Sequence, residues 1–208
     1  MQLTRTNYKS PYPQDASIDK ECLGDIITIY NLRTANVVDN IWLNKLHISH
    51  CGDGCIDMVR PVAGVNSNIT ISHNTIEDAD KVMLAGTPYD YQHKDLPANA
   101  RPYRISIYGN IFKNTTQRTP RADNAIVHVA NNTYTDWNSY VVAAYNSEVF
   151  FEKNILNNKY DKPVAKTGAG GKVFAYQNTM TAKTVKIQDS PNYNKVRSQW
   201  IRNEGDTR

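Results

Sequence analysis

Short runs in which apolar and polar residues alternate recur along this chain, and they end in a common way. Each run closes with an asparagine, any residue and then an apolar side chain, as in Ile69-Thr-Ile71-Ser-His-Asn74-Thr-Ile76. Five such asparagines occur, Asn74, Asn110, Asn132, Asn154 and Asn178. The steps between them are 36, 22, 22 and 24 residues. Alternation with a period of two predicts β-strands, and the regular spacing predicts a stacked repeat.

The repeat predicts an all-β, right-handed parallel β-helix. A leucine-rich repeat has a similar length, but it needs leucine columns and a helical half, whereas valine, isoleucine, phenylalanine and tyrosine dominate here. One short repeat cannot bury its own apolar face, so successive coils must stack on one another. Counting an earlier run that places Leu46 in the asparagine column, we expect about seven coils. Residues 1–208 are predicted to form a single domain.

The asparagine column predicts an internal ladder. Equivalent residues of stacked coils lie about 4.8 Å apart, close enough for one side-chain amide to bond the next. Asparagine also tolerates the left-handed backbone conformation that a tight corner requires. The ladder therefore explains the column without any functional role.

One coil contains an insertion between Gly86 and Arg104, rich in proline, tyrosine and charge. It accounts for the longer first step of 36 residues. Such a loop on a rigid scaffold is a favoured place for function, although a neutral insertion would look the same.

Charge and composition exclude several classes of protein. The net charge of +4 favours an anionic partner, but the chain has no basic run or recognition-helix pattern, so no nucleic-acid binding is expected. No apolar run approaches the roughly 20 residues of a membrane helix, and no signal peptide is readable at the start. Three cysteines allow at most one disulfide, and we expect structural or free thiols.

Two groups of charged residues are candidates for chemistry. Asp25, Asp53 and Asp57 supply carboxylates from neighbouring repeats, and a hard cation such as Ca²⁺ prefers several such oxygens. Asp-Gly is also a common turn, so a purely structural role stays open. Lys81, Arg118 and Arg121 follow one and two coils later. Cations stacked beside carboxylates would suit an anionic ligand, although solvated surface charges would give the same pattern.

Several segments together carry a family resemblance. They are Asn40-Ile-Trp-Leu43, Cys51-Gly-Asp-Gly-Cys-Ile-Asp57, Asn68-Ile-Thr-Ile-Ser-His-Asn74, Asp80-Lys-Val-Met-Leu-Ala-Gly86, Gln117-Arg-Thr-Pro-Arg121 and Val127-His-Val-Ala-Asn-Asn132. In order and spacing, over roughly Asp25 to Leu156, the chain resembles the pectate lyase family 1 proteins. The resemblance implies a right-handed parallel β-helix that cleaves polygalacturonate by calcium-dependent β-elimination. It also implies an acidic polysaccharide as the partner and a secreted protein.

The resemblance assigns roles residue by residue. It implies that Asp25, Asp53 and Asp57 bind Ca²⁺, and that Arg118 is the catalytic base. It further implies that Lys81 takes part in catalysis and contacts the substrate carboxylate. Arg121 then falls among the substrate-binding residues. Cations in these places would stabilise the enolate-like charge that develops when a proton leaves the carbon beside a uronate carboxylate.

The chain also departs from the family pattern. Asp123 stands where the family has a further arginine, and Leu23 stands where it has an aspartate. Coils that precede Asp25 in the family are expected to be missing. A negative charge at Asp123 should repel an anionic ligand over Arg118 and puts activity in doubt, so Asp123→Arg is expected to raise activity.

Two alternatives to a lyase follow from the residues. A non-catalytic β-helix, such as a tailspike-like polysaccharide binder or a truncated relative, would need no base. A β-helical glycoside hydrolase would use paired carboxylates, for which Asp78 with Asp80 is the candidate pair. Lys81 and Arg118 would have no role in that hydrolysis.

Overall fold

The computed structural model describes residues 2–4, 24–30, 38–59, 67–86, 103–182 and 185–203. The strands of these segments are β1 (Gln2–Thr4), β2 (Ile27–Tyr30), β3 (Ile41–Asn44), β4 (His47–Ser49), β5 (Gly54–Val59), β6 (Ser67–Ser72), β7 (Thr75–Gly86), β8 (Tyr103–Tyr108), β9 (Ile111–Gln117), β10 (Arg121–Asp123), β11 (Ala125–Ala130), β12 (Thr133–Trp137), β13 (Val142–Tyr145), β14 (Glu148–Glu152), β15 (Ile155–Asn157), β16 (Ala165–Gly168), β17 (Lys172–Tyr176) and β18 (Thr179–Met180). One helix, α1 (Tyr193–Asn203), follows them.

The strands form a right-handed parallel β-helix, as the repeat predicted. One sheet has the order β17-β14-β11-β8-β6-β3. A second, larger sheet has the central order β16-β13-β10-β7-β9-β12-β15-β18, and β2, β5, β1 and β4 join it beside β7. Every strand pairing is parallel, because each coil returns to lie directly on the previous one.

The solenoid has about five turns, so the expectation of about seven coils was too high. The six-stranded sheet contains only five steps from coil to coil. After Met180 the described chain leads to helix α1 instead of another coil. The repeat count overestimated the stack because each apolar run was taken to complete a turn.

The core lies inside the coils and consists of apolar columns. Ile69, Ile105, Val127 and Val149 occupy one register on adjacent strands, and all four are buried. On the larger sheet the rings of Phe112 and Tyr134 stack with centroids 4.9 Å apart. Residues of the same type align because parallel strands pair in register, so each coil buries the apolar face of its neighbour.

The predicted asparagine ladder is present. In each neighbouring pair, Oδ1 of the asparagine later in the chain accepts hydrogen bonds from the backbone N–H and the side-chain amide of the earlier one, at 2.9–3.1 Å. It runs through all five predicted positions, Asn74, Asn110, Asn132, Asn154 and Asn178. Leu46 also lies in this column, since its backbone N–H donates to Asn74 Oδ1 at 2.8 Å.

The sequence led us to expect the left-handed backbone conformation at the ladder asparagine itself. In the structure, the residue before each ladder asparagine adopts it. His73, Gly109, Asn131, Lys153 and Gln177 have φ values between 49° and 63°. The ladder asparagine cannot serve both purposes, because its amide must point inward to bond the coils above and below. Most corner residues are polar and outward-facing, so the sequence shows no pattern there.

Cys51 and Cys55 form a disulfide across the turn that carries Asp53. This agrees with the limit of one bridge, and it gives both cysteines a structural role. Cys22 lies outside the described residues. In the described part of the chain, no helix is long and apolar enough to span a membrane.

Candidate functional site

The site residues predicted from sequence meet on neighbouring strands of the larger sheet. β2, β5, β7 and β10 are consecutive neighbours there. Asp25 precedes β2, Asp53 comes immediately before β5, Asp57 lies within β5, and Lys81 is on β7. Arg118 lies between β9 and β10, and Arg121 begins β10. Parallel stacking therefore brings together residues that are up to 96 positions apart in the chain.

Two of the three predicted carboxylates converge on Gly54. Asp25 Oδ1 accepts a hydrogen bond from the Gly54 backbone N–H at 2.9 Å. A β-carbon placed on Gly54 would lie 2.5 Å from Asp57 Oδ1 and 2.8 Å from Asp25 Oδ1. Only glycine leaves this space open, and two carboxylate oxygens border it.

The electrostatics of Asp57 reflect this crowding. Asp57 is buried, and Leu84 donates its backbone N–H to Oδ1 at 2.9 Å. Burial raises the pKa of Asp57 to about 7, and the negative charge of Asp25 adds to the increase. Arg118 opposes the increase and Asp53 contributes to it, so all four charges are close enough to interact.

The third carboxylate, Asp53, faces a lysine instead. Lys81 Nζ lies 2.8 Å from Asp53 Oδ1, and both side chains are partly exposed. The pair therefore joins a predicted metal ligand to a predicted substrate contact. Because exposed ion pairs contribute little stability, an anionic ligand could take Lys81 from Asp53 at small cost.

A divalent cation fits the carboxylates in part. The open space at Gly54 has two oxygens beside it, and their mutual repulsion is what a cation relieves. However, the described residues contain no group of three or more His, Cys, Asp or Glu arranged to hold a metal ion. Asp53 would have to leave Lys81 to complete a three-carboxylate set, so its metal role stays a prediction.

Arg118 is held in an unusual backbone conformation. Its φ is 62°, a left-handed conformation that is uncommon for residues other than glycine. The Met83 backbone N–H donates to the Arg118 carbonyl at 2.7 Å and anchors the peptide to β7. Arg118 Nε is buried and has no hydrogen-bond partner among the described residues. Left-handed corners recur throughout the coils of this chain, so the backbone conformation alone does not mark Arg118, and the buried Nε is the feature that calls for an explanation.

Arg121 is bound to Asp123 by two hydrogen bonds. Nε donates to Oδ2 at 2.6 Å and Nη2 to Oδ1 at 3.2 Å, while the guanidinium lies over the Tyr145 ring at 4.6 Å. Burial alone would lower the pKa of Arg121, but the bonds and charge of Asp123 outweigh it and the pKa is raised. Substrate binding by Arg121 therefore stays a prediction, and it has to compete with this pair.

The position of Asp123 changes the outcome expected for Asp123→Arg. The Asp123 side chain is fully buried and paired with Arg121, so it does not present a free negative charge to a ligand. An arginine there would remove the acceptor for Arg121 and bury a second guanidinium beside it. The variant is expected to lose about 3 kcal/mol of unfolding free energy and to gain no activity. Urea unfolding checks this; wild-type stability with raised activity would restore the expectation from sequence.

Sequence reasoning missed three side chains of this site. The Tyr140 hydroxyl is within hydrogen-bonding reach of Arg118, and burial raises the pKa of Tyr140. Tyr145 lies under Arg121, and Lys166 Nζ lies 5.8 Å from the Tyr140 ring centroid. The pairing register is the signal that finds the last two, since Tyr145 pairs with Asp123, and Lys166 pairs with Ala143, which itself pairs with Arg121. No such register marks Tyr140.

The carboxylate pair considered for a glycoside hydrolase has a structural explanation. Asp78 occupies a corner with φ of 51°, and Asn114 from the next coil donates its amide to Asp78 Oδ1 at 2.7 Å. Asp136 and His50 occupy equivalent left-handed corners. Asp78 is thus one member of a corner stack, and Asp80 is an exposed neighbour.

Comparisons with known proteins agree with this fold. The pectate lyase family model matches residues 25–197. Pectate lyase 1 of Hesperocyparis arizonica is 36% identical over 148 residues, covering 69% of this chain and 36% of the relative. Pectate lyase 1 of Cryptomeria japonica is 33% identical over 178 residues, covering 81% of this chain and 41% of the relative.

Solved structures show the same architecture. The major allergen from cedar pollen superimposes with a TM-score of 0.61 at 29% identity, covering 83% of this chain and 50% of that one. A pectate lyase bound to a hexasaccharide gives a TM-score of 0.58 at 21% identity, covering 81% of this chain and 45% of that one.

This chain spans between a third and a half of the length of these relatives and structures. The family match nevertheless covers most of the chain, including every candidate site residue. The family match, the similar relatives and the shared β-helix lead to one assignment: the chain belongs to the pectate lyase family.

Proposed function

We propose that this chain is a polysaccharide lyase that cleaves polygalacturonate, or a related polyuronate, by calcium-dependent β-elimination. The observation that carries the proposal is the meeting of Asp25, Asp57, Lys81 and Arg118 on adjacent coils. Carboxylates at one end and cations at the other suit a metal-bridged anionic polymer. The same proposal includes that the protein is secreted and meets such polymers outside the cell.

The reaction requires a base beside a bound uronate. Removal of the proton on C5, next to the carboxylate, lets the bond from C4 to the glycosidic oxygen break. The electron pair of the C–H bond becomes the C4–C5 double bond, and the departing oxygen takes a proton from solvent. Arg118 is the proposed base, and Tyr140 lies within hydrogen-bonding reach of it. Arginine holds its proton strongly, so the base must be neutral before it acts.

Lys81 and the carboxylates would have separate roles in binding the substrate. Lys81 would exchange its bond to Asp53 for one to the uronate carboxylate, which withdraws charge from the acidic carbon. Asp25 and Asp57 would hold Ca²⁺ at the open space of Gly54, with Asp53 as third ligand once Lys81 leaves it. Bound Ca²⁺ would supply Lewis-acid polarisation of the same carboxylate.

The product of the wild-type chain tests the proposal. Incubation with polygalacturonate and Ca²⁺ should release oligosaccharides with a double bond conjugated to the carboxylate, which absorbs in the near ultraviolet. Hydrolysis forms no such chromophore. Failure to form unsaturated product from any acidic polymer, with Ca²⁺ present and the fold intact, would refute the lyase assignment.

Calcium binding is tested separately by its effect on stability. At about 100 times the dissociation constant, Ca²⁺ should add about 2.7 kcal/mol to the unfolding free energy of the wild type. Asp57→Asn removes one charge, and Gly54→Ala fills the open space while keeping both carboxylates. Each substitution should lower the apparent affinity for Ca²⁺ at least about tenfold, and the calcium-dependent gain in unfolding free energy should shrink accordingly.

Asp161→Asn, at an exposed position remote in sequence, is the matched control and should keep the full shift. Calcium titrations of all four proteins in a thermal unfolding assay make the comparison. An equal shift in the wild type and both site variants would contradict the assignment of this calcium site.

The non-catalytic alternative is favoured by one observation. Lys81 and Arg121 are each paired with a carboxylate of the chain, so two predicted substrate contacts are already occupied. A chain that binds polygalacturonate in a pull-down assay, but forms no unsaturated product with Ca²⁺, would identify a binding protein or a truncated relative.

A further inference from the structure

A groove of about 310 Å³ lies on the six-stranded sheet, away from the strands that carry the candidate lyase site. Its lining includes Trp42 on β3, Ser72 on β6, Ser106 and Tyr108 on β8, and His128 on β11. Trp42, Ser106 and His128 lie in one row, because the four strands pair in register. The row forms a continuous strip across neighbouring coils.

Two aromatic rings in this groove are both exposed and held in place. Trp42 is 66% exposed, yet its indole N–H donates to Ser72 Oγ at 2.8 Å, and Ser72 donates onward to Asn44 Oδ1 at 3.1 Å. Tyr108 is 45% exposed, and the His73 ring meets it in a T-shaped contact at 5.6 Å. Large exposed aromatics are costly to solvate, and fixed orientation lowers the entropy cost of binding a ligand.

The polar groups of the groove are neutral hydrogen-bonding groups. The described residues that line it include hydroxyls and imidazoles but no lysine, arginine, aspartate or glutamate. His128 Nε2 is bonded to Glu152 Oε1 at 2.7 Å, so a carboxylate already partners this imidazole. The groove therefore lacks the fixed cations that a uronate carboxylate would require.

We propose that this groove is a second glycan site, which binds a neutral pyranose segment of a polysaccharide. The apolar C–H face of a pyranose ring packs on an exposed aromatic ring, while its hydroxyls pair with serine and histidine groups. Trp42 and Tyr108 lie on strands two steps apart, about 10 Å, so one oligosaccharide can contact both. The volume is that of a small ligand site.

The site is independent of the proposed lyase reaction. It uses a different sheet and a different class of ligand, so it could anchor the chain on a neutral part of a polymer. Either site can be lost without the other, and failure of the lyase assignment leaves this inference intact.

Titration calorimetry of the full chain with cellohexaose, mannohexaose and xylohexaose tests the inference, with hexagalacturonate as the charged comparison. At least one neutral hexasaccharide should bind. Trp42→Ala and Tyr108→Ala should each weaken that binding at least tenfold. Tyr160→Ala removes another exposed aromatic, 37% exposed and outside the groove, and should leave the affinity unchanged. Circular dichroism confirms that each variant is folded.

Three results would overturn the inference. The first is that no neutral hexasaccharide binds the wild type at millimolar concentration. The second is that only hexagalacturonate binds, or that Trp42→Ala binds the neutral ligand as tightly as the wild type. The third is concentration-dependent self-association in sedimentation that is abolished by Trp42→Ala, which would identify the groove as a protein interface.

Discussion

Replacing Arg118 with lysine should lower the turnover of polygalacturonate by about three orders of magnitude, equivalent to about 4 kcal/mol in the barrier. The charge is retained, but a lysine is shorter and lacks the planar guanidinium that reaches the reacting carbon. The backbone at residues 118 and 119 is hydrogen-bonded to Met83 and Val141 of the neighbouring coils, so a shift that compensates for the shorter side chain would break these bonds. Because the charge is kept, KM should change much less than kcat. Initial rates of double-bond formation provide both constants.

Arg197→Lys is the matched control. Arg197 lies on α1, where Nη2 is 3.6 Å from Glu152 Oε1, and its replacement should leave kcat within about twofold. If Arg118→Lys retained more than a tenth of wild-type turnover, Arg118 would not be the base. Tyr140, which lies within reach of it, would then be the next residue to test.

Replacing Asn132 with alanine should remove about 4 kcal/mol of unfolding free energy. Asn132 is fully buried in the centre of the ladder. Its Oδ1 accepts two bonds from Asn110, and its Nδ2 donates to Asn154 and to the Ile107 and Ala130 carbonyls. Alanine removes the acceptor of the Asn110 backbone N–H in the interior. It also takes one bond from each of the other groups, although the Asn110 amide keeps the Ile71 carbonyl and the Ala130 carbonyl keeps the Gly109 N–H. Urea unfolding gives the difference.

Asn157→Ala is the control for this effect. Asn157 is exposed on β15, and its loss should change the unfolding free energy by no more than about 0.5 kcal/mol. Equal effects of the two variants would mean that the ladder follows from the coil geometry without stabilising it.

The sequence alone determined the solenoid and one of its columns. Alternating runs at a constant spacing allow one economical solution, because each coil must bury its apolar face on the next. The ladder of asparagines at positions 74, 110, 132, 154 and 178 follows from their regular spacing, since a repeated inward contact needs the same amide in each coil. The candidate charges Asp25, Asp57 and Arg118 came from the resemblance of their segments to the family and not from the repeat register, in which Asp57 pairs with Thr28 and Leu84.

Tertiary structure decided the partners of those charges. The sequence shows that Asp123 carries a negative charge, but only strand packing buries it and pairs it with Arg121. In the same way, Lys81 meets Asp53 because β5 and β7 are adjacent, and Tyr140 reaches Arg118 from the following coil. The left-handed corners before each ladder asparagine carry varied polar residues, so no pattern marks them. Spacing predicts which residues share a face, whereas side-chain direction and burial depend on contacts between coils that only the folded chain makes.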